Sequence, residues 1–282
     1  MARSDGKRAK DVDLLYAVIP HLMVSRHDAM NMITLDVPEE PIQQYIRKNR
    51  QEGRSISHLA VIIASYLRIC AHFPKLNRFV TNKKIYDRKG FYISMVVLRG
   101  TVEEDDSTTI KVKLDYNDTI FDVERKMQER IAQESKSSNT NGTDKVAKIL
   151  IKTPGLLSIG VRLFRLMDHF GILPKKIISL SPFHTSLFIS NLASIRTNHI
   201  YHHIYDFGTT SVFITMGNMR EVPFREKGEI VHKKCLPLGV VMDERICDGK
   251  YFAKAFSKLK TYLSNPSLLE IPFQTETALM QS

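Results

Sequence analysis

The stretch from Ser57 to Phe73, SHLAVIIASYLRICAHF, constrains this chain more than any other. Twelve of its seventeen residues are apolar. At 3.6 residues per turn they occupy nearly the whole circumference of a helix. A helix on the surface keeps one polar face, so this one must be buried. Ser55 or Ser57 offers the N-terminal cap, and Pro74 stops the helix. The fold therefore needs layers on more than one side of it, and 282 residues supply enough chain to build them.

Strand patterns surround this helix. Asn31 to Val37 alternates apolar and polar residues. Lys84 to Tyr86, Phe91 to Leu98 and Thr108 to Leu114 are rich in aromatic and β-branched residues, with a turn at Arg88-Lys89-Gly90. Ser186 to Ser190, Ser211 to Thr215 and a long run from Glu229 to Met242 complete the set. Helices are expected from Pro41 to Gly53, after Asp118 or Thr119, and from about Gly249 to Leu263. The mixture implies one α/β domain over residues 1–282 with a largely mixed sheet. Residues 1–14 read as a polar lead, 134–145 as a flexible loop, 146–182 as a helical elaboration, and 270–282 as a tail.

Net charge is +11, which invites a polyanionic partner. The charge is uneven: segment 41–100 carries twelve Lys/Arg against two acids, and 145–200 carries eight against one. Within the second, Ser158, Arg162, Arg165 and His169 share one helical face, while Leu156, Leu163, Phe164, Met167 and Phe170 fall on the others. That pattern fits a solvated basic face over a core stripe, and it also fits peripheral contact with a membrane or a phosphate.

Three scattered cysteines, Cys70, Cys235 and Cys247, suit neither a disulfide framework nor a zinc site. His199, His202 and His203 cluster without a carboxylate or cysteine at ligand spacing, so no metal is expected. The N-terminus is polar and no run approaches the length of a spanning helix, which makes a cytoplasmic location the default. Phosphate loops, nucleophile elbows and nucleic-acid reader motifs are missing, so nucleic acid is not an expected partner.

One segment carries a resemblance. The C-terminal VVMDERICDGKYFAKAFSKLKTYLSNP runs strand, Met242-Asp243-Glu244-Arg245-Ile246-Cys247-Asp248-Gly249, amphipathic helix, Asn-Pro. It resembles the end of the chloramphenicol acetyltransferase-like superfamily, and in particular the catalytic domain of the dihydrolipoamide acyltransferases of 2-oxo-acid dehydrogenase complexes, with its D-H-R-x-x-D-G segment. HFPKLNRFV (72–80), SLFISNLAS (186–194) and SVFITMGN (211–218) resemble further stretches of that family in the same order. Here Glu244 stands where the family has its catalytic histidine.

The resemblance implies a two-layer α/β sandwich with a mixed sheet and helices on one face. It implies a homotrimer with active sites between subunits, and acyl transfer between coenzyme A and a small thiol, hydroxyl or amine acceptor. Carried over, Glu244 takes the base position, Ser190 stabilises the oxyanion, and Asp248 is the structural carboxylate, with Arg26 as its partner. Asn191 and Arg245 would line the coenzyme A channel. Neither a lipoyl domain nor its linker is recognisable, so a stand-alone enzyme using free acyl-CoA is expected, with no metal and no bound lipoyl group.

The glutamate puts catalysis in question. A thiol, a histidine and a glutamate have reference pKa values of about 8.5, 6.5 and 4.3, so an unperturbed Glu widens the mismatch by about 3 kcal/mol. Burial, Asp243 and Asp248 would narrow that gap, and Arg245 would widen it. The alternative is a catalytically silent relative that acts as a binding or scaffold module.

Overall fold

The structure is a computed structural model and describes residues 3–98, 107–136 and 155–281. Its strands are β1 (Gly6–Arg8), β2 (Met30–Pro38), β3 (Arg78–Thr81), β4 (Lys84–Arg88), β5 (Phe91–Leu98), β6 (Ser107–Leu114), β7 (Leu187–Asn191), β8 (Val212–Met216), β9 (Arg220–Glu226) and β10 (Glu229–Asp243). Its helices are α1 (Leu14–Leu22), α2 (Glu39–Gln51), α3 (His58–His72), α4 (Ile120–Lys136), α5 (Leu156–His169), α6 (Lys175–Leu180), α7 (Gly249–Ser264) and α8 (Phe273–Gln281).

Among the described residues the main sheet runs β2-β10-β8-β7-β5-β6, with β9 paired to the outer half of β10. β7 pairs in parallel with both β5 and β8, and the remaining neighbours are antiparallel. A second sheet, β1-β4-β3, stands apart. The mixed sheet expected from the sequence is present, with α2, α3, α4 and α7 packed in one layer over one face.

The apolar helix is α3, and it lies in the middle of that layer. Its residues from Ala60 to Cys70 are all buried, and it packs against α7 and α4. Ser57 is the cap: its hydroxyl accepts from the amide of Ala60 at 3.1 Å and donates to Glu124 at 2.7 Å. One charge sits inside the helix. Arg68 is buried and reaches Glu276 of α8 and the carbonyl of Ile271. Glu276 also accepts from the Tyr262 hydroxyl at 2.5 Å.

This network corrects the reading of 270–282 as a tail. The segment forms α8, and a buried ion pair fastens it to the core. The polar lead is corrected too, because β1 pairs with β4 and Arg3 is buried, bonded to Asp5 and Asp168. The expected loop 134–145 begins later than its composition suggests, since α4 continues to Lys136. The rest of that loop, and residues 146–154 of the expected helical elaboration, lie outside the described residues.

The other sheet face carries a smaller cover. Phe188, Ile204, Phe213 and Val241 form a separate buried cluster there, with Met30 beside it. The segment 198–205 crosses this face closely. A Cβ at Gly217 would fall 2.0 Å from the backbone nitrogen of His199, and one at Gly239 would fall 2.4 Å from the carbonyl of Ile200. Both positions therefore require glycine for space.

Candidate active site

β10 ends at Asp243 and α7 begins at Gly249, so the D-E-R-I-C-D-G segment is a tight strand-to-helix turn. Strand alternation sends Asp243 to the open face of the sheet, where the Met23–Arg26 segment and the 205–208 loop bury it completely. Asp243 caps the short 3-10 turn that follows, accepting from the Arg245 amide at 3.1 Å. It also accepts two parallel bonds from the Arg245 guanidinium, each 2.8 Å. Such two-pronged pairing fixes orientation as well as charge.

A second arginine stands behind it. Arg26 is buried, with Nε 3.8 Å from Asp243, and donates to the carbonyls of Val80, Tyr205, Asp206 and Gly208. Burial pushes the Arg26 guanidinium below its ordinary pKa, and Asp243 opposes that shift. Two of the expected roles are corrected here. Arg26 faces Asp243 instead of Asp248, because Asp243 is the carboxylate that the strand aims inward. Arg245 does not line a channel: it is buried, and Asp243 and the carbonyls of Met23 and Val24 occupy its head. Asp248 accepts from the Tyr251 amide at 2.8 Å as the N-cap of α7.

Glu244 is what the turn presents. It is partly exposed, and its Oε2 accepts from the side-chain Nδ2 of Asn31 at 2.6 Å. Its neighbours Asp243 and Arg245 neutralise each other, which leaves Glu244 as the carboxylate on offer.

Ser190 sits at the end of β7, opposite Thr215 on β8, which stands opposite Gly239 on β10, which stands opposite Thr34 on β2. These four form a polar, small-residue row on the open face. Thr215 Oγ1 lies 2.5 Å from the Ile200 carbonyl and donates to it. Thr34 Oγ1 lies 3.1 Å from His199 Nε2 and 2.6 Å from the Tyr201 hydroxyl. Burial lowers the pKa of His199. Asn191 accepts from the Ser194 amide at 3.2 Å. It also borders a cleft of about 530 Å³ whose walls include Arg50, Ser57, His58 and Met216.

The structure does not bring Ser190 and Glu244 together within one chain. Glu244 lies five residues beyond Gly239, and Gly239 is two strands away from Ser190. At about 3.3 Å per residue and about 4.8 Å per strand, the separation is on the order of 20 Å.

His202 stacks on Phe213 at 4.2 Å, and His27 meets Asp206 at 3.0 Å. Among the described residues no group of three His, Cys, Asp or Glu is placed to hold a metal. Sequence reasoning missed Asn31, Thr34, Thr215 and Tyr201. Asn31 and Thr34 are polar residues of one strand that fall on opposite faces, Asn31 opposite Met242 and Thr34 opposite Gly239, so no single polar face flags them both.

Residues 184–271, which contain Ser190, Glu244 and Asp248, match the family model of the 2-oxoacid dehydrogenases acyltransferase (catalytic domain). Similar solved structures include a probable dihydrolipoamide acetyltransferase from Listeria monocytogenes 4b F2365. It is 14% identical, with a TM-score of 0.58, and the match covers 91% of this chain and 94% of that one. A truncated catalytic core of the 2-oxoacid dehydrogenase multienzyme complex from Thermoplasma acidophilum is 11% identical with a TM-score of 0.56, covering 92% and 99%. A chloramphenicol acetyltransferase gives 11% and 0.51, covering 92% and 99%. The fold is that of the chloramphenicol acetyltransferase-like acyltransferases. No curated protein matches the sequence. In this acyltransferase fold the turn bearing Glu244 and the strand end bearing Ser190 both fall inside the segment that the family model matches.

Proposed function

We propose that this protein is a coenzyme A-dependent acyltransferase whose active site forms between two copies of the chain, with Glu244 from one copy and Ser190 from the other. The observation that carries the reading is the turn after β10. A buried, doubly bonded Asp243–Arg245 pair holds the Glu244 carboxylate, which accepts from Asn31 Nδ2, at the position where the resembling family has its base.

Two further features support a shared site. Ser190 and Glu244 are too far apart in one chain to act on one carbonyl. Beside the turn, α1 leaves Leu14 82% and Leu22 73% exposed, an apolar surface of the kind a neighbouring copy covers. A homotrimer follows from the family resemblance.

In the reaction the acceptor's thiol, hydroxyl or amine gives its proton to Glu244 and forms a bond to the thioester carbon. The Ser190 hydroxyl donates to the resulting oxyanion. The carbon–sulfur bond then breaks, and coenzyme A leaves as the thiol after recovering the proton. The cleft beside Asn191, with Arg50 and His58 in its walls, suits a phosphate-bearing carrier. A free acyl-CoA donor requires no lipoyl arm.

The test is release of free coenzyme A from a panel of acyl-CoA donors with thiol, hydroxyl and amine acceptors. Glu244→Gln and Ser190→Ala should each lower the rate on the order of 10²–10³-fold. Equal amounts of the two variants, unfolded and refolded together, should regain roughly a quarter of the sites if copies share them. Undiminished release in both single variants sinks the assignment. Absence of release from every donor, including in Glu244→His, favours the silent binding module instead.

A further inference from the structure

The chain's excess of basic residues is not exhausted by the proposed active site, and α5 is built in an unusual way. At 100° per residue, Asp168 projects to one side of α5 and Ile159, Leu163, Leu166 and Phe170 project almost diametrically opposite. Asp168 is buried, although Leu157, Val161 and Phe164, close to it around the helix, are exposed. Arg3 donates to its carboxylate at 2.7 Å and to its carbonyl at 2.5 Å, and His184 Nε2 stands 3.2 Å from the carboxylate. The helix is thus fastened by a polar anchor and turns its apolar ridge outward. Ile159 is 65% exposed, Leu163 53%, Leu166 55% and Phe170 51%. A surface helix ordinarily does the reverse.

One flank of the ridge is cationic. Arg162 and Arg165 are exposed and have no carboxylate partner among the described residues. With His169 they form one wall of an open cleft of about 560 Å³, and Leu166 of the ridge borders the same cleft. The acidic group across from them, Asp206, is already engaged by the Arg26 amide at 2.8 Å and by His27 at 3.0 Å. Next along the chain, α6 adds exposed Lys175 and Lys176 and an exposed Leu180. From 155 to 181 the sequence has four Lys/Arg and one acid, and that acid is the internally paired Asp168.

We propose that the α5–α6 segment docks this protein on an anionic phospholipid surface. The ridge Ile159, Leu163, Leu166 and Phe170 enters the headgroup–acyl boundary, and phosphate groups occupy the Arg162–Arg165–His169 cleft. Apolar insertion flanked by arginine and lysine is the signature of a helix that lies in a membrane interface. An acidic protein partner would match the charge but leave the ridge unexplained. No described helix is long and apolar enough to cross a membrane, so the attachment is peripheral.

The experiment is cosedimentation of the full chain with vesicles of phosphatidylcholine alone and of equimolar phosphatidylcholine and phosphatidylglycerol. Binding is expected only to the anionic vesicles, weakening as salt rises. The double variant Arg162→Ser, Arg165→Ser should lower partitioning about 25-fold, near fivefold per arginine. Ile159→Ser with Leu163→Ser should lower it on the order of tenfold or more. Circular dichroism confirms that both variants stay folded, as exposed positions allow.

The chain has no tryptophan. Phe170→Trp is therefore a single reporter, whose emission should shift blue on anionic vesicles and stay red in buffer. Absence of binding to anionic vesicles overturns the proposal, as does binding that both double variants retain. An emission already blue in buffer overturns it as well, since the ridge is then covered by a second copy of the chain.

Discussion

The two faces of the main sheet are built on opposite economies of structure. The covered face is one continuous apolar mass, in which α3 is surrounded by α4, α7 and the inward residues of β5, β6, β7, β8 and β10. The open face has a cluster of four buried residues, a polar row, and two arginines around one buried carboxylate. The first face spends hydrophobic burial on stability. The second holds a few polar groups in fixed positions at the cost of weaker packing, which suits a site. If this division is right, substitutions on the two faces must fail differently.

Asp243→Ala should have the largest effect. It strands Arg26 and Arg245 in a buried place without their carboxylate, and removing one partner of a buried pair costs about 3–5 kcal/mol. Urea unfolding of Asp243→Ala and Asp243→Asn measures it. A loss below about 1 kcal/mol would mean that the carbonyls around the two arginines suffice, and the turn would then be less rigid than its geometry indicates.

Equal truncations on the two faces come next. Ile63→Ala in α3 should cost near 3 kcal/mol or more, because close-packed helix and sheet residues on every side hinder collapse of the cavity. Ile204→Ala on the open face should cost visibly less, although Ile204 is also fully buried, since the irregular segment that carries it can settle into the gap. Equal losses would erase the distinction between the faces.

What the sequence revealed follows the same division. α3 was readable from its unbroken apolar circumference, β6 and α7 from periodic burial, and β5 and β10 from runs rich in apolar and β-branched residues. β1, β9 and α8 were not. β1 is the three residues Gly6-Lys7-Arg8, whose pairing is entirely with distant β4. β9 carries Pro223 and mostly charged or exposed residues, an edge strand without a core face. α8 is held by Glu276, whose partner Arg68 lies two hundred residues earlier. In the site, the D-E-R-x-x-D-G segment drew attention to Glu244 and Asp248, but Arg26, expected beside Asp248, faces Asp243. Two aspartates flank Glu244, and only the direction of β10 shows which one turns inward.

Acid should separate a third region from both faces. Burial pushes the Asp168 carboxyl up, but His184 and Arg3 more than offset this and hold it at about 2, against an ordinary 3.8. Arg3 is permanently charged, whereas burial lowers the His184 pKa and Asp168 opposes that shift. A depressed carboxyl stabilises the fold fully above its unfolded pKa. That contribution, on the order of 2 kcal/mol, is lost as pH falls from about 4 toward 2. Denaturation midpoints of wild type and Asp168→Asn should differ at pH 6 and converge near pH 2. A difference that persists at low pH would show that the anchor of α5 depends on shape more than on charge.

The smallest expected effect decides what Asp248 does. If its work is to cap α7, Asp248→Asn keeps an oxygen for the Tyr251 amide and changes stability by only a few tenths of a kcal/mol, while Asp248→Ala costs about 1 kcal/mol. If its charge is held by an arginine, as in the resembling family, Asn and Ala should be equally damaging. The bond to Tyr251 at 2.8 Å, together with the engagement of both nearby arginines by Asp243, favours the first result. It also follows that Asp243 has taken over the buried ionic role on the strand side of the turn. A double variant that places Asn at both 243 and 248 should then lose close to the sum of the two single effects, because the two carboxylates share no hydrogen-bond partner.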